Sequence, residues 1–447
     1  MSVVERISGE IEERFDSDLE MVLGLLAAIY AVYFGTALII GFSPRGQINA
    51  IANLTFYIGV FGLLALALNL HWGYTGLFNI GIVGFMAVGI YVMAVAAKSP
   101  EGTASGAGGF GLPIWLAIVV GTLAAALLGV TVALPALRLR ADYLAIVTIA
   151  MSEIVRFTFL SGTFQEFTLL GYDTGFGGGS GLLWGFDPLM SFIEFAYLTG
   201  PYNALVDLTG TVIRNNPEPV VQNLLYGVVL LLFVVAYYVV LRRLGNSPFG
   251  RVLKAIREDE EATQSLGKDT NRFKIKAFML GCALMGLGGI LWYMQAGTIT
   301  PNTFRPRLTF YIWIALIIGG AGSNTGSVLG GAVFAAALFQ GPLYLKNVIE
   351  TVFEVDAPNS FGQAMGPLVS SIDPVPLIYY VVGNIRSLQR VIMGLALIWL
   401  MHNRPQGLLG HRKEEAASIP LRAGRRTTGT EAAATDGGRD VGGEGDE

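Results

Sequence analysis

The sequence predicts an all-α protein, a polytopic bundle of about ten transmembrane helices with both ends on the cytoplasmic side. Three observations lead there. Of 447 residues, 53% are hydrophobic and 14% charged, against about 25% charged in a soluble domain. Apolar runs of roughly eighteen residues or more, long enough to cross a bilayer as a helix, recur along the chain. Basic residues gather in one segment, Leu241 to Lys276, between two such runs. It carries Arg242, Arg243, Arg251, Lys254, Arg257, Lys268, Arg272, Lys274 and Lys276 against Glu258, Asp259, Glu260, Glu261 and Asp269. Short loops rich in Lys and Arg stay on the cytoplasmic side, so this loop sets the orientation.

Taken in order, residues 1–20 read as a short acidic cytoplasmic lead-in. A cleaved signal peptide needs a basic start, which this stretch lacks. Spans follow at 21–41, 50–70, 77–97, 112–135, 143–160, 220–241, 275–297, 308–320, 327–346 and 388–402. Placing 241–276 inside puts both termini inside. Arg138 and Arg140 then fall inside, as do Arg404, Arg412 and Lys413. The extracytoplasmic loop 161–218 holds one basic residue, Arg214, against six acidic ones. Arg305 and Arg307 run against the bias, because the scheme leaves them outside. The second large extracytoplasmic loop is 347–387, in which PVPLIYYVV reads as interfacial or re-entrant. The packed membrane unit is therefore 21–413. The acidic tail, 414–447, is Ala, Gly, Thr and charge without apolar periodicity, which predicts disorder.

Several functions are excluded by composition. A net charge of -4 implies no nucleic-acid partner. The single cysteine, Cys282, rules out a disulfide framework or thiolate metal site within the chain. His71, His402 and His411 are scattered without metal-ligand spacing. No GxxxxGK[ST] is present, so the chain has no P-loop of its own. With no metal cluster and no nucleophile–base constellation, an enzyme is disfavoured, and no cofactor is expected in this chain.

Some polar features remain. A helix is expected from about Phe249 to Leu266, closed by Gly267, with Val252, Ile256 and Leu266 as apolar points on a charged surface. It reads either as a solvated connection or as a helix that docks in a partner's groove. Asn69, His71, Tyr74, Thr75 and Asn79 interrupt the apolar pattern in LNLHWGYTGLFNIG, with Gly73, Gly76 and Gly81 between them. That reads as a plain short loop or as a broken helix of the kind that forms midplane substrate sites. Glu153 and Arg156 lie three apart on one face of a span, as a structural ion pair or as part of a polar path. GGAGSNTG (319–326) favours close helix approach or a tight turn over ligand binding. GYDTGFGGGSGL (171–182) favours a flexible outer loop over close backbone approach to a ligand.

The pieces line up with a family. LNLHWGYTGLFNIGIVGFMAVGIYV resembles the early span pair of permeases from branched-chain amino acid ABC importers, of the LivM type in the LivH/LivM permease family. RLRADYLAIVTIAMSEIVRF, at 138–157, is similar to their LRGDYLAIVTLGFGEIVR signature. DTGFGGGSGL, SPFGRVLKAIREDEEATQSLG (247–267) and RPQGLLG (404–410) follow in the family's order. The resemblance runs from about residue 50 to 410 and is specific in combination. It implies that the loop 242–274 holds a coupling helix for an ATPase subunit, through Arg257, Glu258, Glu260, Glu261, Ala262 and Gly267. The pattern is similar to the importers' Glu-Ala-Ala-x3-Gly, with Thr263 in place of the second Ala.

A translocation path would run by Asn69, Tyr74, Thr75, Asn79, Glu153, Thr174 and Gly175. The implied partners are a second related permease, two ATP-binding subunits carrying ATP and Mg, and an extracytoplasmic substrate-binding protein. Outer segments 183–218 and 347–387 are longer than the family pattern, which bears on how the binding protein docks. The expected function is a permease subunit of an ATP-driven importer for branched-chain amino acids. A permease for another small solute (urea or an amide, another amino acid, a sugar) is the alternative. An ion-coupled secondary transporter stands behind both, because the spans hold few carboxylates besides Glu153.

Overall fold

The computed structural model describes residues 18–101, 108–137, 141–169, 171–195, 197–213, 216–353, 358–403 and 406–408. The lead-in to residue 17, Arg138, Arg140, Arg214, Arg404 and the tail 414–447 lie outside the described residues. The chain is a helical bundle with two very small two-stranded sheets. Among the described residues seven helices are long and apolar enough to cross a membrane. A further apolar pair, Val375–Gly383 and Ser387–Asn403, has the length of a span only when taken together and is bent by 85°. The remaining two expected spans form shorter apolar helices, α3 (Ile82–Ala97) and α12 (Pro306–Gly319), of 16 and 14 residues. At 1.5 Å per residue neither reaches across a hydrocarbon core of about 30 Å by itself.

What completes these two is irregular backbone. α2 (Pro44–Asn69) starts on Pro44 behind a Ser43 cap and passes straight into a π-helical turn, Leu70–Tyr74. Residues 76–81 are not helical and lead into α3. α12 ends at Gly319, and Gly320 and Gly322 take positive φ of 100° and 96°. The chain folds back there into α13 (Asn324–Val333), which Ser323 caps through Gly326 N. A Cβ on Gly319 would sit 1.9 Å from the Gly326 carbonyl oxygen, so only glycine allows this turn. The expectation for GGAGSNTG as a tight, close-packed turn is therefore what the structure has.

α2 is the central helix, buried along most of its length between α8 (Glu218–Asn246), α13 and α11 (Thr270–Tyr293). Its even apolar character, without a polar face, suits burial on all sides. α11 also packs on α3 and on α4 (Ile114–Ala136). At that junction backbones nearly touch: a Cβ on Gly121 would meet the Gly89 carbonyl oxygen at 2.4 Å. Small residues permit such approach where apolar burial alone drives little association between helices. α1 (Asp18–Ile39) is mostly exposed, as a lipid-facing span would be.

Two loops differ from expectation. The charged loop holds two helices, α9 (Pro248–Glu258) and α10 (Glu260–Ser265), not one over 249–266. Asp259 breaks the run: its extended backbone (φ -156°) lets its carboxylate cap Ala262 N at 2.9 Å. Asp is among the best N-caps, and the two glutamates that follow suit a first helical turn. Gly267 does close the segment with φ 78°. The described residues of 161–218 are folded, with strands β1 (Phe167–Leu169) and β2 (Tyr172–Thr174) paired antiparallel and helices Pro188–Phe195 and Thr199–Val212. Within it the glycine-rich stretch is packed, not loose. Gly175 lies against the Gln165 backbone, Gly177 against Gly181, and β3 (Leu182–Leu183) pairs with β4 (Thr298–Ile299).

Candidate functional site

The two irregular segments meet. Asn69, at the end of α2, donates through Nδ2 to Asn324 Oδ1 at 3.1 Å, and its Oδ1 accepts from the Gly322 N–H at 2.8 Å. Asn324 donates onward to the Tyr74 hydroxyl at 2.6 Å. All three side chains are buried. Buried amides are tolerated only when hydrogen-bonded, and here Asn69 also satisfies the Gly322 N–H at the turn. Asn324 was not singled out in the sequence reading. The signal for it was an amide set among small residues in an otherwise apolar run.

A second branch runs deeper. Asn79 Nδ2 lies 3.1 Å from His71 Nδ1 and donates to Met285 Sδ at 3.7 Å, while its Oδ1 accepts from Gly81 N at 2.8 Å. His71 Nε2 is 3.0 Å from the Phe278 carbonyl oxygen, so the ring donates there and accepts from Asn79 as a neutral imidazole. Its ring stacks on Phe278 at 4.7 Å. Trp313 Nε1 donates to the Asn79 carbonyl at 3.1 Å, and Thr148 receives Ile80 N at 3.0 Å. Thr75 Oγ1 closes locally on the Leu70 carbonyl at 2.9 Å. The stretch LNLHWGYTGLFNIG is a π-helical turn at the end of α2 followed by a non-helical link, 76–81, that leads into α3. It runs from the charged-loop end of the bundle inward to Met285 on α11.

The charged loop touches this element directly. Arg257, on α9, donates through Nη1 to the Gly73 carbonyl oxygen and pairs with Glu258 at 2.5 Å. Lys254 is buried and its Nζ sits over the Tyr74 ring, 5.4 Å from the centroid. α9 buries Leu253 and Ile256 and so is fixed to the bundle. α10 stands outside it. Glu261, Ala262, Gln264 and Ser265 are exposed, and Leu266 is 80% exposed. Glu260 is held inward by Lys274 at 2.6 Å and by Thr270 at 3.0 Å.

Glu153, Thr174 and Gly175 are not brought to this network. Glu153 and Arg156 form a closed two-point pair, with Nη2 at 2.6 Å and Nε at 3.0 Å from Oε2. Arg156 also donates to Asn302 at 3.3 Å, beside the C-terminal end of α5 (Ala141–Leu160). Thr174 is buried, and its hydroxyl has no hydrogen-bond partner among the described residues. Gly175 leaves no room for a Cβ.

Comparison with known proteins agrees with this architecture. Residues 50–355 match the family described as branched-chain amino acid transport system / permease component. The high-affinity branched-chain amino acid transport system permease protein LivM of Escherichia coli (strain K12) is 33% identical over 287 residues, 64% of this chain and 61% of its own length. The chain thus spans less than two thirds of that relative. A probable LivM of Methanocaldococcus jannaschii is 26% identical over 327 residues, 68% of this chain and 84% of its own length. A probable LivH of the same organism is 30% identical over 138 residues, 29% of this chain and 43% of its own length. No solved structure matches the chain. With the family match covering both irregular segments and the charged loop between them, this multi-pass cell-membrane protein belongs to the family of branched-chain amino acid transport permease components.

Proposed function

We propose that the chain is the membrane-spanning permease subunit of an ATP-driven importer for branched-chain amino acids. It forms half of the translocation pathway and catalyses no covalent chemistry. The carrying observation is the tie between the charged loop and the broken span, Arg257 to Gly73. An exposed short helix with an exposed Leu266 suits docking in a groove of an ATP-binding subunit. α9, fixed by Leu253 and Ile256, passes any displacement of α10 to Arg257 and Lys254, and so to the π-helical turn. A hydrogen bond from a charged donor contributes about 1.5–3 kcal/mol, enough to bias two packings of a broken helix.

In this reading Arg257, Glu258, Glu260, Glu261, Ala262 and Gly267 couple to the ATPase. Asn69, Tyr74, Thr75 and Asn79 form the moving part of the path, with Glu153, Thr174 and Gly175 toward its outer end. The partners are a second related permease, two ATP-binding subunits and an extracytoplasmic binding protein, and both termini face the cytoplasm. The test is purification from native membranes together with uptake into vesicles. Recovery of a P-loop ATPase and leucine uptake that needs ATP support the proposal. A chain recovered alone, with uptake that follows a Na⁺ or proton gradient, would replace it with an ion-coupled transporter. ATP-driven uptake that favours another solute would keep the mechanism and change the substrate.

A further inference from the structure

Arg305 and Arg307, which run against the charge bias of the loops, face one cavity with Arg390 of α17 (Ile385–Asn403). The cavity is about 730 Å³, within the range of small-molecule sites. It lies at the end of the bundle opposite the charged loop, because α11 leaves that loop at Thr270 and brings Trp292 and Tyr293 to the cavity wall. Among the described residues no Asp or Glu lines it. Among the described residues none of the three arginines pairs with a carboxylate. Arg305 reaches Asn302 Oδ1 at 3.4 Å, and Arg390 reaches Ser387 Oγ at 3.4 Å. Three guanidinium groups around one space repel each other, and a carboxylate held between them relieves that while matching their planar donor geometry.

The rest of the wall suits a small zwitterion with an apolar side chain. Tyr57 and Trp292 supply apolar area, and Asn53 a polar edge. Asn53 also lines an adjoining cavity of about 280 Å³. Asn49 lies there, and its Oδ1 is buried without a hydrogen-bond partner among the described residues. A buried acceptor without a donor is what an ammonium group satisfies.

The geometry points to a receiving site for a free amino acid at this mouth, with the carboxylate on Arg305 and Arg307, Arg390 facing it, and the ammonium toward Asn49. The choice of a branched-chain amino acid rests on the importer reading above. The test is scintillation-proximity binding of radiolabelled leucine to the full-length chain in lipid nanodiscs. The competitors are leucinamide, which lacks the carboxylate, and 4-methylpentanoate, which lacks the ammonium. Leucinamide should compete about tenfold less well than leucine. Arg305→Gln with Arg307→Gln should weaken leucine about tenfold and erase that preference, and Lys at both positions should retain most of it. Asn49→Ala should weaken leucine and leave 4-methylpentanoate unchanged. The site is overturned if leucine shows no saturable binding, if leucinamide competes equally, or if the double Gln variant binds as wild type. Loss of uptake in that variant with unchanged leucine binding would also overturn it, by assigning the arginines to a protein partner. Should the Gln pair fail to fold, the leucine–leucinamide comparison on the wild-type chain decides by itself. ATP-driven uptake is measured in parallel. Lost ATP dependence with the carboxylate preference intact sinks the importer reading alone, and the converse result sinks this site alone.

Discussion

The Arg257 guanidinium donates to the backbone carbonyl of Gly73, 184 residues earlier in the chain and inside a π-helical turn. π-helical turns are rare and concentrate at functional sites, because the wider turn frees backbone groups for other partners. Here the freed group is held by the loop that connects α8 to α11. Arg257→Met keeps the aliphatic stem and removes the donors. ATP-driven leucine uptake should fall by about tenfold or more, with the ATP-binding subunits still co-purifying. Undiminished uptake would show that this bond transmits nothing.

Glu260 and Glu261 should separate coupling from loop stability. Glu260 is tied to Lys274 at 2.6 Å, whereas Glu261 is exposed. Glu261→Lys should reduce recovery of the ATPase subunits and leave the thermal midpoint unchanged. Glu260→Lys should lower both, and adding Lys274→Glu should restore the midpoint. The pair is partly exposed, so its own contribution is about 1 kcal/mol or less. Normal assembly of the Glu260→Lys, Glu261→Lys double variant would remove the docking role from α10.

Gly73 and Gly76 should respond differently to alanine. A Cβ at Gly73 would lie 1.9 Å from Asn69 Oδ1 and 2.6 Å from Gly322 N, both part of the buried network. At Gly76 there is room beside Arg257, and the obstacle is φ of 72°. Gly76→Ala should cost about 1–2 kcal/mol of left-handed strain, and Gly73→Ala should cost more and abolish uptake. The buried Cys282 is the sole cysteine, so labelling by a thiol-reactive dye on heating reports both midpoints. Equal midpoints would contradict the packing at Gly73.

Asn69 and Asn324 should behave as one unit. Each single change to Ala leaves the other amide short of a buried partner, at about 1–3 kcal/mol. The double variant should therefore cost less than the sum, with a coupling of about 0.5–3 kcal/mol. Additive effects in the same unfolding assay would mean that the two breaks are independent.

Glu153→Gln keeps shape and removes the charge opposite Arg156. The closed two-point geometry and the added bond to Asn302 expect a lowered midpoint with most uptake retained. Uptake lost at an unchanged midpoint would instead place Glu153 in the substrate path.

What was legible in the sequence followed from composition and short range. The apolar spans, the charged loop, the Gly267 stop and the Glu153–Arg156 pair depend on hydropathy and on neighbours within a few turns. Asp259 shows the limit of that reading. Its capping strength is local, yet the charged run around it resembles one continuous helix, and the break appears only as a backbone geometry. The glycines at 175–181 show another. Glycine content suggests looseness, but close backbone contact with Gln165, Ile299 and each other uses the same absence of Cβ for packing.

A multi-pass helical protein could be read from residue order alone, because transfer of apolar residues into lipid is summed along each span and needs no distant partner. The same order also carried the family's motifs. The packing of the helices brings Asn69 to Asn324, Arg257 to Gly73, and Arg305, Arg307 and Arg390 to one cavity. Those contacts join residues far apart in the chain. Their energies depend on directional hydrogen bonds and charge at distances set by helix packing, which hydropathy and local spacing do not encode.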